Sequence, residues 1–99
     1  MILFEIEETT AFQEWIDGLK DDRARRHIRR RLLRLKDGNF GDHRGLGAGL
    51  LELRMHFGPG YRVYYTVHGG RLVILLGGGT KRRQDTDIEQ ARKLLETLR

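Results

Sequence analysis

Residues 50–67 read LLELRMHFGPGYRVYYTV. Leu51, Leu53, Met55 and Phe57 alternate with Glu52, Arg54 and His56, the period-two pattern of a strand with one apolar face. Tyr61, Val63, Tyr65 and Val67 alternate in the same way with Arg62, Tyr64 and Thr66. Between the two runs lies Gly-Pro-Gly, so the segment predicts a hairpin. A three-residue loop sets Phe57 opposite Tyr61, His56 opposite Arg62 and Arg54 opposite Tyr64. Opposed residues share a face, so the apolar sets meet on one side while Arg54, His56, Arg62 and Tyr64 gather on the other. A loop one residue shorter or longer would turn Arg62 toward the core. Two arginines, a histidine and a tyrosine on an open face could hold a phosphodiester. The same pattern also serves an ordinary solvated outer face, because a sheet covered by helices on one side needs a polar other side.

Outward from the hairpin, residues 71–76 give a third strand, joined through Gly69-Gly70, and residues 2–7 (ILFEIE) a fourth. Residues 38–49, GNFGDHRGLGAG, carry five glycines and read as a loop. Thr9 or Thr10 can cap a helix over 11–19 with the apolar stripe Ala11, Phe12, Trp15, Ile16 and Leu19. Asp21 and Asp22 open a second helix whose Ala24, Ile28, Leu32 and Leu35 follow helical spacing, with Gly38 as its stop. Residues 85–98 form a last helix with Ile88, Ala91, Leu94, Leu95 and Leu98 on one side. The predicted fold is α+β, in the order β-α-α-β-β-β-α, with an antiparallel sheet and an N-terminal helical hairpin packed on one face.

The chain of 99 residues makes a single domain, residues 1–99. It has no cysteine, which suits a reducing cytoplasm. The longest apolar run, Leu72–Leu76, is too short for a bilayer, so a cytoplasmic protein without membrane contact is expected. Nineteen Lys and Arg against fourteen Asp and Glu give a net charge of +5, and fifteen of the cations are arginine. Arginine's planar fork matches phosphate and stays charged, so a nucleic acid is a natural partner. Seven arginines lie on the second helix, from Arg23 to Arg34. Arg26, Arg29 and Arg30 among them are candidates for RNA or ribosome contact, although the same residues also suit the solvated side of an amphipathic helix.

Residues 77–84, GGGTKRRQ, invite a nucleotide-loop reading. A phosphate loop of the Walker type needs a lysine followed by Ser or Thr and a strand–loop–helix crossover. Here Lys81 precedes Arg82, and the neighbouring strands read as antiparallel. An NTPase is excluded. The glycines are expected to end the strand and aim Lys81, Arg82 and Arg83 toward the Arg54/Arg62 face, with Arg83 a further candidate for RNA or ribosome contact.

Taken together, ELR at 52–54, GPGYRVYY at 58–65 and GGGTKRRQDTDI at 77–88 resemble the RelE/ParE toxin superfamily, and more narrowly its phage-derived HigB-like killer proteins. The resemblance covers nearly the whole chain. It implies a microbial ribonuclease-like fold and a type II toxin held inactive by a cognate antitoxin, expected to be a small helix-turn-helix protein. It further implies metal-independent, ribosome-dependent cleavage of mRNA by attack of the substrate's own 2′-OH, without a cofactor. Arg62 then matches a phosphate-contacting arginine, Lys81 and Arg82 match a basic pair at the end of the last strand, and Arg54 occupies a strand position often basic in the family. The chain departs from the pattern in one respect: after His68 it has no Tyr or His for proton transfer. Lys81, His56 and Tyr64 remain as candidates for that step. Two other functions share the fold: a ParE-like inhibitor of DNA gyrase, and a decayed, non-catalytic RNA- or partner-binding domain.

Overall fold

The computed structural model describes residues 3–99, so Ile2 of the first predicted strand lies outside the described residues. The elements are β1 (Glu5–Glu8), α1 (Thr10–Asp17), α2 (Asp22–Leu33), β2 (His43–Gly47), β3 (Leu50–Met55), β4 (Tyr61–His68), β5 (Leu72–Thr80) and α3 (Gln84–Thr97). A 3₁₀ turn at Arg34–Asp37 extends α2, and another at Lys81–Arg83 precedes α3. The five strands lie in the order β1-β5-β4-β3-β2.

Helix starts follow from local chemistry. The Thr9 hydroxyl accepts from Phe12 N at 3.2 Å and donates to the Leu75 carbonyl at 2.8 Å, capping α1 and tying it to β5. The Asp21 carboxylate accepts from the backbone of Arg23 and Ala24 at 3.0 and 3.2 Å. Each such cap contributes about 1 kcal/mol. Gly38, at φ 80°, ends the helical run in the left-handed region where a Cβ is costly.

Phe12 and Ile16 of α1 and Ala24, Ile28 and Leu32 of α2 pack with Leu35 against Leu53, Met55, Val63, Tyr65, Val73 and Leu75, which places the helical hairpin on one face as predicted. The other face is not open. Helix α3 covers it, burying Ala91 and Leu95 against Leu50, Tyr64 and Leu76. The molecule is therefore three layers thick at this point, because α3 carries its own apolar stripe and needs a surface to cover.

The strand pattern departs from expectation in four ways. First, β1 pairs with β5 in parallel, so the sheet is mixed rather than wholly antiparallel. Second, part of the glycine-rich loop is strand β2, paired antiparallel to β3 from His43↔Leu53 to Gly47↔Leu50 with a bulge between Gly45 and Gly47. It is an edge strand held by backbone bonds, so it needs no apolar alternation to form. Third, the β3–β4 register lies two residues from the predicted one: Met55 opposes Tyr61, Arg54 opposes Arg62 and Glu52 opposes Tyr64. A turn closed by Gly60 N donating to the Phe57 carbonyl at 3.0 Å takes His56 and Phe57 out of the ladder. Because the slip is an even number, every residue keeps its predicted face.

Fourth, Gly77, Gly78 and Gly79 are not a loop. They continue β5 opposite Tyr64, Val63 and Arg62, and none of them has a positive φ. They provide room instead. A Cβ on Gly78 would overlap the Trp15 ring of α1, and one on Gly79 would overlap the Asp87 carboxylate of α3. Strand β1 covers the outer edge of β5 only as far as Glu8↔Leu75. Beyond it, that edge borders an open cleft of about 420 Å³ between α1 and α3. Among the described residues no helix is long and apolar enough to cross a membrane.

Candidate active site

The slip in register brings Arg54 and Arg62 directly opposite each other. Two like charges in a cross-strand pair repel, so each needs its own counter-charge. For Arg62 this is Glu52, two residues along β3 on the same face. The Glu52 side chain is fully buried and accepts from Arg44 Nε at 3.1 Å and Gln84 Nε2 at 2.6 Å. Arg62 Nε lies 3.8 Å from it, an ion pair too long for a direct hydrogen bond. Arg62 Nη1 donates to the Tyr61 carbonyl at 3.1 Å. Glu52 thus joins β2, β4 and the first residue of α3. Arg62 is only 5% exposed, so it does not stand on the open face that the sequence predicts.

For Arg54 the counter-charge is Asp42, which sequence reasoning missed. Arg54 donates from Nη2 at 2.7 Å and Nε at 3.2 Å to Asp42 Oδ1. The other carboxylate oxygen meets His56 Nε2. These bonds from His56 and Arg54 pull the Asp42 carboxyl down to about 2. Arg31 positions this arrangement from α2. Its guanidinium donates to the carbonyls of Arg54, Phe40 and Asp42 at 2.9, 3.0 and 3.0 Å. Burial is the main cause that lowers the Arg31 pKa. Gly41, at φ 62°, fits the space beside it: a Cβ there would sit 2.7 Å from Arg31 Nη2. Arg54 N also donates to the Asp42 carbonyl at 2.9 Å, which continues the β2–β3 ladder to this point.

Lys81 reaches the same end of the sheet. Its backbone N donates to the Gly60 carbonyl at 2.7 Å, so the end of β5 lies against the β3–β4 turn. Gly60, at φ 78°, sits between them; a Cβ there would be 3.2 Å from Lys81 Cβ and 3.6 Å from Arg62 Nη1. Lys81, Arg82 and Arg83 are exposed, and Arg83 turns toward the cleft that Asp87 also lines. Arg54, His56, Arg62 and Lys81 are therefore brought to one sheet end, close to Arg82.

Tyr64 is not part of this group. It lies beneath α3 with no exposed surface, and its hydroxyl has no hydrogen-bond partner among the described residues. Burial, followed by the nearby Glu52 and Asp87 charges, pushes the phenol up from its ordinary value. A buried phenol that resists ionisation cannot exchange protons with a surface ligand. Its predicted catalytic role is withdrawn for that reason.

The predicted contact arginines of α2 divide. Arg29 is engaged, donating to Glu8 at 2.5 Å and lying 5.6 Å over the Phe12 ring. Arg26 and Arg30 are exposed and line a groove of about 430 Å³ with Arg23, His27 and Phe57. The His27 and Phe57 rings are 4.1 Å apart. Since Phe57 begins the turn that ends at Gly60, the groove leads from α2 to the Arg54/Lys81 end of the sheet.

Of the residues that sequence reasoning missed, Asp42, Arg31 and Glu52 all act across long sequence separations. The only local signal was Glu52, a carboxylate between two leucines in a strand.

Comparisons with known proteins agree with this architecture. A free-state structure of a double arginine-to-alanine mutant of the E. coli toxin RelE superposes with a TM-score of 0.75, covering 93% of this chain and 97% of that one. At 14% identity, that likeness establishes a RelE-like fold. An uncharacterized protein of Haemophilus influenzae (strain ATCC 51907 / DSM 11121 / KW20 / Rd) is 47% identical over 94 residues, 95% of each chain. The model of the family described as "Phage derived protein Gp49-like (DUF891)" matches residues 14–98. With that match over most of its length, and with the RelE-like sheet and helices around it, the chain belongs to the phage-derived Gp49-like family.

Proposed function

We propose that this protein is the toxin of a type II toxin–antitoxin module and that it cuts mRNA on the ribosome, in the cytoplasm, under the control of a small helix-turn-helix antitoxin. The observation that carries the reading is the convergence of Arg54, Arg62, His56 and Lys81 at one end of the sheet, where the α2 groove also ends. Fixed cations aimed at one point stabilise the extra charge that builds on a phosphate during attack by a neighbouring 2′-OH. The α2 groove, with Arg23, Arg26 and Arg30, supplies attraction to the polyanion. Lys81 and Arg82 extend the same charge beyond β5. Nothing in this chemistry needs a cofactor.

A second reading draws on one observation. Arg62 is nearly enclosed and its charge is spent partly on Glu52, which suits a domain that binds RNA or a partner without cutting. Induction in cells followed by mapping of transcript ends separates the two. Wild-type protein should produce cuts phased with codons, and Arg54→Ala should reduce them roughly 10²–10³-fold while circular dichroism is unchanged. Growth arrest with intact transcripts would overturn the nuclease reading. An SOS response without RNA cleavage would point instead to gyrase.

A further inference from the structure

We infer that Asp42 is a positioning residue that converts His56 into the proton acceptor of the cleavage reaction while aligning Arg54 on the phosphate. The inference rests on the nuclease reading above and identifies the proton-transfer group that the sequence leaves open. Three observations carry it. The Asp42 carboxylate is bound through both oxygens, Oδ1 to Arg54 and Oδ2 to His56. An ionised carboxylate can only accept, so His56 Nε2 must carry the hydrogen in this bond. That fixes the tautomer with the lone pair on Nδ1, which has no partner among the described residues and lies on a side chain that is 67% exposed.

The support is also fixed. Asp42 cannot drift, because Arg31 holds its backbone carbonyl together with those of Phe40 and Arg54. Arg54 spends Nη2 and Nε on Asp42, leaving Nη1 free for a phosphate oxygen. Arg54 and His56 are two residues apart, roughly 7 Å along an extended chain. That span accommodates a phosphodiester with its oxygens on the arginine and its adjacent ribose hydroxyl at the imidazole.

The 2′-OH gives its proton to His56 Nδ1 as the 2′ oxygen forms a bond to phosphorus. The bond from phosphorus to the 5′ oxygen breaks, and that oxygen takes a proton from the Lys81 ammonium. Solvent then removes the proton from His56 and restores the one on Lys81. The products are a 2′,3′-cyclic phosphate and a free 5′-OH, with no oxidant, reductant or metal in the balance. From β4 the buried Arg62 guanidinium adds positive charge behind Arg54 and touches no substrate atom. The titratable groups at His56 are Asp42, from the loop before β2, and Arg54 of β3 on the other oxygen of the same carboxylate.

Single-turnover cleavage of ribosome-bound mRNA tests the inference. His56→Gln, an exposed change that the fold tolerates, and Asp42→Asn should each lower the rate of the chemical step about 10²-fold or more with little change in the concentration needed for half saturation. Their combination should lose scarcely more than either alone, since both act on one proton. An activity-independent readout accompanies this. Imidazole ¹⁵N shifts of the free wild-type protein should report the Nε2–H tautomer at His56, and Asp42→Asn should shift the population toward Nδ1–H. Unaltered cleavage by His56→Gln, additive losses in the double variant, or an unchanged tautomer in Asp42→Asn would each overturn the inference. A wild-type protein that cuts nothing would remove the nuclease reading itself, and this role with it, whereas wild-type cleavage with fully active His56→Gln would overturn the role alone.

Discussion

Glu52 is a carboxylate with no exposed surface, held among an arginine on each neighbouring strand and an amide on α3. Such a group is costly to desolvate and costlier to leave without partners. Replacing it by Ala would strand the buried Arg62 guanidinium with the Tyr61 carbonyl as its remaining acceptor. Glu52→Ala should therefore lose about 3 kcal/mol in urea unfolding. The paired change Glu52→Leu with Arg62→Met should recover most of that stability, because apolar groups of similar size remove both charges at once. It should not recover RNA cleavage. A neutral Glu52→Ala would show that Arg62 does not depend on it. Because Arg62 is itself buried against Glu52, truncating it alone would also cost stability. Period-two alternation puts Glu52, Arg54 and Arg62 on one face correctly, but it does not reveal whether that face is wet. Asp42 was not legible for a different reason. Its partners, Arg54 and His56, are 12 and 14 residues away, and only the folded β2–β3 edge brings them together.

At the scale of elements, β5 relates glycine to packing. Gly78 lies under the Trp15 ring, whereas a Cβ at Gly77 would meet nothing within 4 Å. Gly78→Ala should thus push α1 off the sheet at a cost of roughly 1–3 kcal/mol, read as a lower Tm in thermal melts. Gly77→Ala, one residue earlier in the same strand, should stay within about 0.5 kcal/mol of wild type. Equal effects at the two positions would mean that strand propensity, not contact with Trp15, sets the requirement for glycine. The sequence marks all three glycines alike, as a break after an apolar run, and so suggests a loop. What distinguishes them is the close approach of α1 and α3 from opposite sides, and neither approach leaves a local trace. The helices themselves are readable because their caps and apolar stripes are local, and the run of α2 and its 3₁₀ extension stops at Gly38 where the sequence says it should. Strand β2 is unreadable because an edge held by backbone bonds carries no side-chain pattern.

Across the whole molecule, charge is distributed by function of place rather than evenly. Acidic groups are set against particular partners: Glu8 against Arg29, Asp42 against Arg54 and His56, Glu52 against Arg44 and Arg62. Among the described residues the surplus of basic charge therefore appears where no such ion pair forms, at Arg23, Arg26 and Arg30 of α2 and at Lys81 and Arg82. The sequence reports that surplus as a total, and the fold assigns it to one side and one end of the sheet. The α+β class and the chain order of its helices were legible, since both rest on local periodicity. The second layer on the far face was not, because the stripe on α3 does not state which surface it covers.

Strand β5 also divides the sheet into two regimes of amide exchange. The bond from Lys81 N to the Gly60 carbonyl sets the phase of the β4–β5 ladder, so Gly79 points its N–H toward β4 while Gly78 and Thr80 point theirs away. Past Leu75, among the described residues, there is no strand on that side to receive them. In deuterated water, Gly78 and Thr80 should exchange orders of magnitude faster than Gly79 and Leu75, an alternation along a single strand that NMR can follow residue by residue. Slow exchange at Gly78 and Thr80 in the isolated protein would mean that this edge is already occupied, and that the strand does not end its pairing where β1 turns away.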